Sequence, residues 1–129
     1  MTGDEIRALA EGFFNAIEAG DIEAVRASYA PDAKIWHNTD ELATSVAENI
    51  ETLTGFTQRI RERRYRDRRL AVFEGGFVQQ HVLHGVRADG VAVSLPACLV
   101  CLVEDGRITR LDEYFDSARV AIFRAVAHA

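Results

Sequence analysis

Three glycine-containing dipeptides in the second half of the chain constrain its fold more than any other feature of the sequence. Gly75-Gly76, Asp89-Gly90 and Asp105-Gly106 are of the kind that two-residue hairpin turns favour. The segments between them alternate between apolar and polar residues with the period of two that is typical of strands. The sequence therefore predicts an antiparallel meander of four strands, over about residues 61–74, 77–88, 91–104 and 107–116.

The first half of the chain has the periodicity of helices instead. Thr2 and Glu5 form a capping-box pair before the first apolar stripe, and Gly20 is suited to end that helix. Helices that precede a meander are typical of an α+β fold, in which the helices pack on one face of the sheet. We expect helices over residues 3–19, from Asp21 to before Pro31, from Thr39 or Asp40 to Gly55, and from Ser117 through Val126, with a short strand over residues 33–38.

Length and charge limit the number of domains and the kinds of partner. The 129 residues suffice for one domain, which we expect to span residues 1–129. The 15 basic and 20 acidic side chains give a net charge of −5, which argues against nucleic-acid binding because neutralising phosphates needs a basic face. No apolar run reaches the roughly 18 residues of a membrane span. The charged N-terminal helix lacks the features of a signal peptide, so we expect a cytoplasmic protein that does not bind a membrane.

The hairpin turns also predict which side chains share a face of the sheet. With two-residue loops, Leu70 lies beside His81, His81 beside Cys98, and Cys98 beside Glu113. The other residues of this face are mostly apolar, so these polar groups would stand in an apolar lining. The strand over residues 91–104 is apolar on both faces. We therefore expect a second copy of the chain to cover the outer face of the sheet in a homodimer.

Several segments of the chain carry a family resemblance. The run FFNAIEAGDIEAVRASYAPDAKIWHN and the later segments GFVQQHVLHG, SLPACLVCLVEDGRI and LDEYFD resemble the nuclear transport factor 2-like superfamily, and its SnoaL-like members in particular. The resemblance implies a cone-shaped α+β fold with a strongly curved sheet around helices, a pocket between them, and often a dimer through the outer sheet face. Members of this superfamily include polyketide cyclases, ketosteroid isomerases, limonene-epoxide hydrolases, dehydratases and non-catalytic binding modules.

The catalytic residues of these enzymes narrow the chemistry that the resemblance implies. Where ketosteroid isomerases place a tyrosine and two aspartates, this chain has Phe13, His37 or Asn38, and Cys98. The aspartate of the Arg-x-Asp pair that epoxide hydrolases use is also missing. The polyketide cyclases, which use an acid on the last strand within an apolar pocket, resemble this chain best, and Glu113 would be that acid.

Glu113 is the residue that we expect to act as acid and base. An apolar lining favours the neutral form of a carboxyl group, which suits the group to proton transfer near neutrality, unless a bulge turns Glu113 into solvent. His81 would share this catalytic role by orienting the substrate or sharing the proton as a neutral imidazole, or it is a buried histidine satisfied by Gln79 or the backbone. The residues that we expect to bind substrate are Trp36, Asn38, His37, Phe13, Cys98, Leu111 and Phe115.

These observations predict a small-molecule enzyme of SnoaL-like type. We expect acid–base chemistry without a cofactor, such as cyclisation, isomerisation, dehydration or hydrolysis, on an apolar substrate that bears a carbonyl group. We expect no metal site at the CxxC of Cys98 and Cys101, because residues three apart in a strand point to opposite faces and lie roughly 10 Å apart. The alternative is a non-catalytic module that binds a small ligand or dimerises on the same fold.

Seven arginines lie between positions 59 and 69, in the segment RIRERRYRDRR. Charges on an exposed first strand of the meander protect a sheet edge from pairing with another chain, and binding of an anionic substrate or partner is the alternative. Strand alternation would point Arg64, Arg66 and Arg68 inward.

Overall fold

The structure, a computed structural model, describes residues 1–125. Helices come first and a meander follows, so the α+β class is confirmed. The predicted packing of Val126 lies outside the described residues. The elements are α1 (Gly3–Ala19), α2 (Ile22–Ser28), β1 (Tyr29–His37), β2 (Leu42–Thr44), α3 (Val46–Arg59), β3 (Ile60–Phe73), β4 (Gly76–Arg87), β5 (Ala92–Glu104), β6 (Arg107–Phe115) and α4 (Ser117–Arg124).

Capping side chains decide where the helices begin. Thr2 and Glu5 form the predicted capping box of α1, and Gly20 ends that helix with a left-handed φ of 73°. The predicted bounds of the third helix are wrong at both ends, because the capping box that starts α3 is made by Ser45 and Glu48 and the helix continues past Gly55 to Arg59. No helix among residues 1–125 combines the length and apolarity that crossing a membrane requires.

The six strands form one sheet in the order β2-β1-β6-β5-β4-β3. The meander strands β3 to β6 pair antiparallel as predicted, whereas β1 lies parallel to β6. A core cluster that includes Phe13 and Phe14 of α1, Ile35 of β1 and Phe77 of β4 fills the space between the helices and the inner face of the sheet. The parallel pairing brings the first and last strands of the chain side by side, and it positions the site described below.

The position and length of each turn decide which face of the sheet a side chain takes. The last turn has the predicted form, since Glu104 pairs with Arg107 across two residues. The first turn lies one residue earlier than predicted, and Leu70 therefore pairs with Gln79 and not with His81.

The second turn spans three residues and not the predicted two. Each side chain of β5 therefore lies on the face opposite to the predicted one. The Arg87 amide donates to the Val91 carbonyl at 2.9 Å, which leaves three residues in the loop. His81 consequently pairs with Ala97. The predicted place of Cys98 in the inner row is wrong, because strand alternation then puts its side chain on the outer face.

A bulge between β5 and β6 returns Glu113 to the inner face. The register shifts between Leu102 and Val103, and Glu113 pairs with Leu99, which is buried in the core. The extra residue in the second turn and this bulge have opposite effects on the face that β6 side chains take. Glu113 and His81 therefore both lie on the inner face as predicted.

Two irregularities in β3 sort the arginines differently from simple alternation. The register against β4 shifts where Glu62 and Asp67 adopt left-handed φ angles of 54° and 55°. Arg63 turns inward and donates to the carbonyls of residues 17 and 57 at the ends of α1 and α3, while Arg68 pairs with Glu18 at 2.7 Å. The prediction that Arg64 and Arg66 point inward is wrong, because both are exposed.

Candidate active site

A partly open cavity of about 210 Å³ lies between the inner face of the sheet and helices α1, α3 and α4. Most of its wall is apolar, and that wall includes the predicted residues Phe13, Leu111 and Phe115. An apolar cleft with a few polar groups is the usual form of a small-molecule site. Its polar and charged lining residues are Tyr29, His37, Thr39, Asp40, Thr44, Asn49, Thr52, Arg59, Tyr65, Glu113 and Arg124.

His37 and Glu113 form a contact pair inside this cavity. They are register partners in the parallel pairing of β1 and β6, so their side chains leave the sheet together on the same face. His37 Nε2 lies 3.2 Å from Glu113 Oε1, and each side chain is 22% exposed. The His37 ring also packs against the ring of Phe115, with centroids 5.7 Å apart. The fold thus holds an imidazole and a carboxylate together with little contact with water.

The charge state of His37 is set by two opposing effects. Burial lowers its pKa, but the hydrogen bond with Glu113 and the charges of Glu113 and Asp40 outweigh burial, so that its pKa is raised from the ordinary 6.5. A protonated His37 beside the Glu113 carboxylate can give up a proton, and the carboxylate can accept one. The pair therefore carries both functions of acid–base catalysis.

Tyr65 adds a hydrogen-bond donor to the same cavity. Burial, followed by the negative charge of Glu113, raises the pKa of Tyr65 far above its ordinary value of 10, so that the phenol keeps its proton. The hydroxyl of the neighbouring Tyr29 already donates to Asn49 Oδ1 at 3.0 Å. The Tyr65 hydroxyl, by contrast, has no hydrogen-bond partner within residues 1–125, and it is available to donate to a ligand.

His81 is buried but does not line the cavity. Gln79 Nε2 lies 2.8 Å from His81 Nδ1, while Tyr65 packs against the ring with centroids 4.4 Å apart. Burial lowers the pKa of His81 to about 4, so the ring is neutral near pH 7. Gln79 meets one ring nitrogen of this buried histidine, as in the alternative interpretation, whereas His81 Nε2 has no hydrogen-bond partner among residues 1–125. His81 does not line the cavity, so the geometry gives it no direct contact with a ligand there.

Three residues predicted to bind substrate lie away from the cavity. Strand alternation places Trp36 on the face opposite to His37, where its ring packs against the exposed Tyr114 with centroids 5.3 Å apart. Asn38 follows β1 and links it to β6. Its side-chain Nδ2 donates to the Phe115 backbone carbonyl at 3.1 Å, and its Oδ1 accepts from the Phe115 backbone N–H at 3.0 Å. Cys98 is on the outer face for the reason given above.

Two features of the site were not predicted from the sequence: the contact between His37 and Glu113, and the position of Tyr65 in the cavity wall. Glu113 and His37 were both selected as site residues, but their contact was not, because it depends on a parallel pairing that no hairpin turn encodes. Tyr65 lies in the arginine-rich segment and was not predicted as a site residue. A single aromatic residue among charged ones does indicate that one face of that strand is buried. Among residues 1–125 there is no group of three or more side chains arranged to hold a metal ion.

Comparison with known proteins agrees with this architecture. Residues 10–111 match the family model described as SnoaL-like domain. A candidate polyketide cyclase from Xanthomonas campestris pv. campestris superposes with a TM-score of 0.82 at 21% identity, covering 95% of this chain and 98% of that one. An epoxide hydrolase of M. tuberculosis that is described as LEH-like gives a TM-score of 0.76 at 22% identity, with 95% and 90% coverage.

A third similar structure covers nearly the whole of both chains. It is an NTF2-like protein of unknown function from Burkholderia pseudomallei K96243, with a TM-score of 0.81, 18% identity, and coverage of 98% of this chain and 100% of that one. None of the curated proteins matches the chain. At these identities the solved structures establish the fold and leave the chemistry to the site itself.

Proposed function

The chain belongs to the SnoaL-like domain family, and from this premise we propose that it is an enzyme that moves a proton on a small carbonyl compound without a cofactor. The observation that supports the proposal most is the contact of 3.2 Å between His37 Nε2 and Glu113 Oε1 within a mostly apolar cavity. A pure binding module has no need of a titratable pair in the wall of its pocket, since burying charge is costly.

The reaction that fits this geometry is the formation of an enol or enolate. Glu113 accepts the proton from the carbon next to the carbonyl, the electron pair of the broken C–H bond forms the C=C bond of the enolate, and the π pair of the carbonyl moves to its oxygen. The Tyr65 hydroxyl donates a hydrogen bond to that oxygen, where negative charge develops. His37 stabilises the Glu113 carboxylate before the transfer and can return a proton to the product. Cyclisation and isomerisation of carbonyl compounds both begin with this step.

Exchange of hydrogen for deuterium tests the step without knowledge of the natural substrate. Cyclohexanone in D₂O gains deuterium at the carbons next to its carbonyl when an enzyme forms the enolate, and proton NMR follows the loss of signal. We expect Glu113→Gln to slow this exchange on the order of 100-fold or more, which is typical for the loss of a general base. The matched control is Glu104→Gln, which makes the same change at an exposed residue of β5.

A second measurement on the same variants checks the pair itself. The pKa of His37, followed by NMR, should fall in Glu113→Gln, because the raising influence of Glu113 is removed while burial remains. Exchange that persists at the wild-type rate in Glu113→Gln would contradict the proposed chemistry. Binding of cyclohexanone without any exchange would favour the non-catalytic ligand-binding module instead.

The outer face of the sheet supports a further part of this proposal, a homodimer. Leu102 and Tyr114 are 45% and 47% exposed on this face, and the outward residues of β4 and β5 include Val78, Val82 and Val100. Exposed apolar side chains of this kind favour an interaction site, and a two-fold dimer would cover them with the same surface of a second copy.

A further inference from the structure

Two arginines line the cavity from the ends of two different helices. Arg59 is the last residue of α3, and Arg124 is the last residue of α4. Neither side chain forms an ion pair or a hydrogen bond with any of residues 1–125. The inward arginines of β3 differ from them, because Arg63 is bound by backbone carbonyls and Arg68 by Glu18.

The local structure of α3 leaves room for the Arg59 guanidinium. A Cβ atom built at Gly55 would lie 2.9 Å from Arg59 Nη1, so the guanidinium lies against the helix where a side chain is absent. A glycine within a helix costs about 0.5–1 kcal/mol relative to alanine, and such a glycine often has a packing reason. Here the space that it leaves is taken up by the head group of an arginine that faces the cavity.

The charges around the cavity leave the two arginines available to a ligand. Besides Arg59 and Arg124, the charged residues in the lining are Asp40, His37 and Glu113. Asp40 accepts a hydrogen bond from the Leu42 amide at 3.0 Å and makes no ion pair with either arginine. Glu113 is in contact with His37. Guanidinium groups bind carboxylates through paired, charge-assisted hydrogen bonds, and they are the residues most suited to that role.

The size of the cavity limits what such an anion can be attached to. At about 210 Å³ the cavity is smaller than the roughly 300–1,000 Å³ of sites for drug-sized ligands. It corresponds to the volume of about seven water molecules. A short acid with one further functional group fits in this space.

We propose that the substrate is a small oxo acid whose carboxylate is bound by Arg59 and Arg124 while its carbonyl group reaches Tyr65 and Glu113. This inference rests on the proposed function for the carbonyl end and on the two arginines for the acid end. The cavity then recognises both ends of one short molecule, and the arginines add affinity for those carbonyl compounds that carry a carboxylate.

A pair of probes that differ only in charge tests the inference. Levulinate is a small oxo acid, and levulinamide is its uncharged amide of nearly the same shape. We expect levulinate to bind the wild-type protein at least tenfold more tightly, as measured by NMR titration or calorimetry. In the double variant Arg59→Gln, Arg124→Gln the two probes should bind with equal affinity. The matched control, Arg66→Gln, removes one charge from an exposed residue of β3 outside the cavity and should leave the preference unchanged.

Gly55→Ala provides a second variant that separates the site from the stability of the fold. Alanine should leave α3 at least as stable, because alanine is the better helix former, yet it displaces the Arg59 guanidinium and should weaken levulinate binding several-fold. Equal affinity of the wild type for both probes, failure of levulinate to bind, or an unchanged preference in the double variant would overturn the inference. Failure of this inference is distinguishable from failure of the proposed function. The role of the arginines is tested by the affinity for levulinate, whereas the role of Glu113 is tested by deuterium exchange.

Discussion

The pKa values of the two histidines on the inner face of the sheet are shifted in opposite directions by their surroundings. His37 has a carboxylate within hydrogen-bond distance, and its pKa is raised. His81 contacts Gln79 and aromatic rings, and burial, which outweighs the raising influence of the Glu113 charge, lowers its pKa to about 4. The imidazolium of His37 therefore stabilises the fold below pH 6.5, and that contribution is lost as the pH rises through the folded-state pKa. The carboxylate on a neighbouring strand accounts for the raised pKa of His37.

His81 should make the protein sensitive to mild acid. In the unfolded chain its pKa is near 6.5, whereas in the folded protein it is about 4, so the unfolded state binds the proton more readily. Between pH 6.5 and 4 the free energy of unfolding should fall by about 3 kcal/mol from this group. Denaturant unfolding of the wild type and of His81→Leu, at pH 7 and at pH 4.5, measures the contribution. Identical losses in both proteins would show that His81 is protonated without cost to the fold.

At the scale of the elements, short-range signals were sufficient for most of the fold. The capping box of Thr2 and Glu5, the left-handed Gly20 and the strand periodicity gave α1 and the four meander strands to within a residue or two. Ser45 and Glu48 carried the same capping signal for α3, but Thr39 and Asp40 offered a competing start in the sequence. In the structure the backbone from Leu42 to Thr44 pairs with β1 before the helix begins.

Features that depend on distant parts of the chain were beyond the reach of these signals. The bulges in β3 and the parallel pairing of β1 with β6 arise from packing across the whole sheet. Trp36 illustrates the consequence. An aromatic ring suits a pocket wall as well as it suits the outer face of the sheet. Only the register of β1 shows that the Trp36 ring faces outward. Glu113 was placed on the correct face because two errors in register cancelled.

Adjacent arginines of β3 provide a test of how these elements are joined. Arg63 Nε donates to the Ile17 carbonyl at 3.2 Å and Arg63 Nη1 to the Thr57 carbonyl at 3.0 Å, which satisfies the ends of α1 and α3. Arg63→Gln should lower the free energy of unfolding by about 1–2 kcal/mol, because hydrogen bonds from a charged donor are lost. Arg64→Gln, one residue along and exposed, should change it by less than about 0.5 kcal/mol. Equal effects in denaturant melts would contradict the assignment of Arg63 as a helix cap.

At the scale of the whole molecule, the proposed dimer gives a direct prediction. Light scattering should report a mass twice the 14.3 kDa of one chain. Leu102→Glu should shift the protein to monomers, since it puts a charge on an outward residue of β5 that is 45% exposed. Ile122→Glu, at a residue of α4 that is 49% exposed, is the matched control and should not change the mass. A monomeric wild-type protein would contradict the dimer and leave the cavity chemistry unaffected.

The pairing of β1 with β6 also has a consequence for biosynthesis. His37 and Glu113 come from the first and the last strands in chain order, so their contact cannot form until residues up to β6 have been synthesised and β6 has paired with β1. A partly synthesised or truncated chain that ends before β6 holds an imidazole without its carboxylate. If the proposed chemistry is correct, chains that lack β6 are inactive.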